Sequence, residues 1–163
     1  MALTLEDQRA VWRKVEQFFN SSDSGTGTQA AVEAFRALKK YLTTAGTSTQ
    51  FQFVPYAAAD IVTNLGYSPL DVACQVYGWY GKNSGGSGGT DSYITLHNAA
   101  NNASVPFVTN LIQDDNDEFS SIFPKGLDFG TDLTISGATT QGGATESAAA
   151  DACDGFVIVG AAA

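Results

Sequence analysis

The chain has 163 residues, 44% hydrophobic and 15% charged, which suits one domain, or one small domain with an appended helical segment, under an unusually uncharged surface. Its formal charge of −9 is uneven: residues 82–163 hold ten acids against two bases, and a surface that acidic repels phosphate backbones, so nucleic-acid binding is not expected. No apolar run approaches the roughly 20 residues of a membrane helix, and residues 1–19 carry charges along their length instead of reading as a signal peptide, so the expectation is a protein made in a cytoplasm and no membrane partner.

Thr4 followed by Asp7 has the spacing of a capping box, and a helix is expected over 5–19. Val11, Trp12, Val15, Phe18 and Phe19 recur at three and four residues, forming one apolar stripe. A second helix is expected over 28–45, with Thr28 as N-cap, Gly46 as stop, and Ala31, Val32, Phe35, Leu38 and Leu42 on one face. The two helices make an antiparallel hairpin that is a poor core alone, so the stripes must pack on the rest of the chain or on another subunit. Trp12, Val15, Phe19, Phe35, Leu38 and Leu42 form the expected docking interface, while Arg36, Lys39 and Lys40 read as a solvated face or a protein contact. Residues 51–54 read as a short strand interrupted by Pro55, and 57–65 as a third short helix closed by Gly66.

From residue 71 the pattern shifts to period two, with strands expected over 72–80, 93–98, 105–112, 118–123, 127–136 and 155–159. Val76, Trp79, Tyr80, Ile94, Leu96, Leu133 and Ile135 are the candidate core residues. The small-residue stretches 82–91 and 137–152 are expected to be ordered by neighbours in an assembly, since they hold almost no large apolar side chains. The fold expected is α+β: an N-terminal helical hairpin, with 1–70 a docking region, followed by an antiparallel β-sandwich over 71–163. Cys74 and Trp79 fall on one expected strand, which argues against an immunoglobulin domain.

No constellation of catalytic residues emerges. His97 is the only histidine, it reads as an edge or loop residue, and no G-x-S-x-G turn accompanies it. Cys74 and Cys153 are far apart and read as buried free thiols, with a strand-to-strand disulfide as the alternative; with His97 they lack the close pairs of a zinc site. The acidic run 114–118 superficially resembles the start of a calcium loop, but Phe119 stands where the turn glycine belongs, so a solvated hairpin turn is expected. Asp128 and Asp132 are not singled out as a carboxylate pair by any pattern. The expectation is no enzyme, no cofactor and no bound metal.

Four phrases follow in order: VYGWYGKNS, SYITLHNAANNASVPFVTNLIQ, FPKGLDFGTDLTISG and DGFVIVG. Together, over residues 76–159, they resemble a β-module of small structural proteins of tailed bacteriophages. The resemblance implies a virion protein assembled in the host cytoplasm, present in many copies or as a homo-oligomer, with the major capsid protein or other virion proteins as partners. A capsid decoration or cement protein is the leading expectation, and a neck, tail or fibre-attachment protein the second. A carbohydrate-binding module, with Tyr77, Trp79, Tyr80 and Tyr93 as its sugar platform, is the reading from another class.

Overall fold

The computed structural model describes residues 5–21, 28–44, 51–63, 66–83, 91–102, 106–112, 117–141 and 153–162. The Thr4 cap, the Gly46 stop, acidic residues 114–116 and the loop cores 84–90 and 142–152 lie outside them. The fold is α+β. Two helices, α1 (Leu5–Ser21) and α2 (Thr28–Thr44), lead into strand β1 (Gln52–Tyr56) and a single-turn helix α3 (Ala58–Ile61). Six strands follow: β2 (Cys74–Lys82), β3 (Ser92–Asn98), β4 (Pro106–Ile112), β5 (Glu118–Phe129), β6 (Leu133–Ala138) and β7 (Asp154–Ala161). They form a four-stranded sheet in the order β1-β7-β2-β5 and a three-stranded sheet in the order β4-β3-β6, and every strand pairing is antiparallel.

One apolar core joins the two sheets: Val76, Trp79, Phe129, Val157 and Val159 meet Ile94, Leu96, Ile112, Leu133 and Ile135. A second core lies on the other face of the four-stranded sheet, where Val11, Trp12, Val15, Phe19, Phe35, Leu38 and Leu42 from the helices cover Tyr77, Tyr80, Phe156 and Ile158. Strand β2 feeds both. A β-bulge at Tyr77 shifts its register against β7, so Val76 and Trp79 face one core while Tyr77 and Tyr80 face the other. Gly78 keeps α2 close, for a Cβ there would stand 2.6 Å from Phe35 Cε1. Phe156 is the hub of the helix-side core, its ring centroid 4.8–5.7 Å from those of Phe18, Phe19, Phe35, Phe53 and Tyr80.

Four expectations need correction. Pro55 does not interrupt the first strand: β1 runs through it, pairing Pro55 with Phe156, because β1 is an edge strand that needs ladder donors on one side only. The expected break at residues 124–126 is not a turn; β5 continues to Phe129 and the chain turns at 130–132. β1 lies before the expected boundary at residue 70, yet it is a strand of the four-stranded sheet, and both helices share that sheet's core, so 1–70 is not a separate unit. The third helix is also shorter than expected, four residues with Asp60 accepting the Ala57 amide at 3.0 Å.

Candidate functional site

Of the two coverings open to the helix stripes, the chain uses its own sheet. Trp12, Val15, Phe19, Phe35, Leu38 and Leu42 are each at most 6% exposed, so the expected interface is an internal one and any docking face has to be built from its borders. The reason is the sheet itself: its helix side presents the apolar residues Tyr77, Tyr80, Phe156 and Ile158, which form one core with the two stripes. Trp12, Val15, Phe19 and Phe35 nevertheless reach the floor of a cleft between α1 and α2, about 220 Å³ in volume, with Glu16, Arg36 and Lys39 around it.

A second recess lies at the outer edge of the four-stranded sheet. Between the pairs Val76↔Leu127 and Gly78↔Ile122, β2 carries only Tyr77, whereas β5 carries Phe123, Pro124, Lys125 and Gly126. The surplus residues swell out of the ladder as a wide bulge. Each residue type has a local reason. Pro124 needs no ladder bond on an edge strand. Gly126 adopts φ 79°, and a Cβ there would stand 2.8 Å from Gln75 Oε1, which itself accepts the Tyr77 hydroxyl at 2.7 Å. The bulge and Tyr41 of α2, itself 46% exposed, line a shallow apolar groove of about 520 Å³. The sequence carried a signal for it, a Pro-x-Gly phrase inside a β-rich run, but the same phrase reads locally as a turn between two strands.

The groups singled out for chemistry sit apart. His97 is not at an edge: it lies on the central strand of the three-stranded sheet, buried, with Nε2 2.8 Å from Ser136 Oγ. Asp132 accepts the Ser68 hydroxyl and the Leu133 amide, each at 2.7 Å, and Asp128 is exposed on β5. Glu118, at the end of the acidic run, accepts the Tyr80 hydroxyl at 2.7 Å. Among the described residues no three His, Cys, Asp or Glu side chains come together as a metal shell. The sugar platform is not assembled either, because Trp79 and Tyr80 are fully buried on opposite faces of β2. Among the described residues no helix is long and apolar enough to cross a membrane.

Cys74 and Cys153 are free and buried. Burial, reinforced by Asp132 and Asp128, pushes the Cys74 thiol from 9.0 up to about 11. Burial also pushes Cys153 up to about 12, against a lowering contact from the Tyr56 hydroxyl 3.8 Å away and with a raising one from Asp154. Both folded values exceed the unfolded one, so the folded chain holds protons that the unfolded chain releases. The stability this contributes is complete below pH 9 and is lost as pH climbs from 9 through 11 to 12. The slope is at most about 1.4 kcal/mol per group and pH unit. Urea unfolding at stepped alkaline pH will show this decline, and Cys153→Ala will make it shallower between pH 9 and 12, leaving the Cys74 share, whatever its offset at neutral pH. An unchanged slope in that variant would remove Cys153 from the account. Compared with known proteins, the chain matches no family model, no curated protein and no solved structure.

Proposed function

We propose that the protein is a structural protein of a bacteriophage virion, a decoration or cement protein that sits on the capsid in many copies and contacts subunits of the major capsid protein. One observation carries the reading: the four phrases of the phage-like module coincide with β2 through β7 in chain order, and its FPKGL phrase is the β5 bulge itself. In this reading the two sheets are the layers of a β-sandwich, and the acidic C-terminal half faces solvent. The bulge groove beside Tyr41 supplies contact area of the kind a cement protein uses, apolar and shallow rather than a cleft with converging ionisable groups.

Quantitative mass spectrometry of purified particles of the virus that encodes the chain tests this. The expected result is a copy number comparable with that of the coat protein. A few copies per particle would instead assign the chain to the neck, tail or fibre attachment, and its absence from particles would end the virion reading. Tyr41→Asp, at an exposed position that leaves both cores intact, is expected to weaken attachment to the shell without lowering the melting temperature.

A further inference from the structure

The cleft between α1 and α2 joins an apolar floor to a charged rim. Trp12, Val15, Phe19, Val32 and Phe35 form the floor, and Arg36 and Lys39 stand on the α2 lip opposite Glu16 of α1. At about 220 Å³ it is smaller than pockets for whole small molecules, which run from about 300 to 1,000 Å³, and is suited to one large side chain. Arg36 and Lys39 are three residues apart and so share one helix face. Neither side chain makes a hydrogen bond or ion pair with a described residue. In a chain of net charge −9 this lip is a local reversal of sign.

We infer that the cleft is the docking site for a segment of a partner protein that inserts one aromatic or large aliphatic side chain and carries a carboxylate on a flanking residue, placed on the α2 lip against Arg36 and Lys39. A desolvated pocket holding one anchor is where interface energy concentrates, and charge on its rim sets orientation and encounter rate. Glu16 acts by repulsion: a carboxylate placed on the α1 lip meets like charge, so the segment is accepted in one direction only. The assignment does not depend on the virion reading, since absence of the chain from particles would leave the cleft and its charges as they are.

The test is a titration of the full chain, labelled with nitrogen-15 and carbon-13, with three capped tripeptides: Asp-Phe-Glu, Gln-Phe-Gln and Lys-Phe-Lys. The acidic peptide is expected to move the Trp12 indole and the Val15 and Val32 methyl resonances, and to bind roughly tenfold more tightly than the basic one at low ionic strength. Added salt is expected to shrink the ratio. Arg36→Gln combined with Lys39→Gln, which leaves Glu16 as the rim charge, is expected to bring it to one or below while the neutral peptide binds as before. Equal affinities for the acidic and basic peptides, no movement at Trp12 with any of the three, or a ratio that survives the double substitution would each overturn the assignment. The double variant's own spectrum checks its fold, which neither charged head group supports by any bond to a described residue.

Discussion

Replacing Phe156 by alanine will lower the stability of the folded chain by about 3–5 kcal/mol, the upper range for a buried aromatic side chain. Phe156 is 0% exposed and sits on β7, paired with Pro55 of β1 on one side and with Tyr80 of β2 on the other. Its ring touches five others, two from α1, one from α2 and two from the sheet. A cavity at that point cannot collapse from below, because two hydrogen-bonded neighbours hold the β7 backbone in place. It can close only if the helices sink, and α2 already lies so close that a Cβ at Gly78 would stand 2.6 Å from Phe35 Cε1. The loss is a large part of the roughly 5–15 kcal/mol available to a domain. Urea unfolding followed at a helix-sensitive wavelength should show the midpoint falling while the slope stays unchanged. A loss below about 1 kcal/mol would mean that the helices are loosely seated, and the account of the helix-side core would fail.

Gly155→Ala will destabilise by about 3 kcal/mol or more, or prevent folding. Gly155 lies opposite Gly81 of β2 and Tyr56 of β1. A methyl group there would run into the carbonyl oxygen of Tyr80 and would stand 2.5 Å from the Tyr56 hydroxyl. Neither can yield freely. The hydroxyl donates to that same carbonyl at 2.8 Å and accepts the Trp79 indole N–H at 3.1 Å, so the three groups form one satisfied buried chain. Tyr56→Phe alone should cost about 1–3 kcal/mol by taking the acceptor from the buried Trp79 indole N–H. In the double variant the missing hydroxyl removes one of three close approaches and leaves those of the Tyr80 carbonyl and of Tyr56 Cζ at 2.6 Å, so the combined loss should fall short of the sum by about 0.5–3 kcal/mol. A Gly155→Ala protein within about 0.5 kcal/mol of wild type would show that the strands are less closely apposed than described.

Much of this molecule was legible in the residues alone. The three-and-four spacing of Val11, Trp12, Val15 and Phe19, and of Ala31, Phe35, Leu38 and Leu42, determined two amphipathic helices, because helical periodicity is a local property of the chain. Alternation and β-branched content likewise determined most strands and the core positions Val76, Ile94, Leu96, Leu133 and Ile135, all 0% exposed. What covers an apolar face is not local. Only the tertiary structure decided that the helix stripes close on Tyr80 and Phe156 of the same chain, and that β1 pairs with β7 about a hundred residues later. The same holds for FPKGL: its proline and glycine mark a departure from regular strand, but whether the chain turns away or bulges and rejoins the same neighbour depends on β2 being there to receive Leu127. The groove beside Tyr41 exists because it does rejoin, and the cleft under Arg36 exists because two stripes met one sheet, so both candidate surfaces are products of packing that no window of sequence contains.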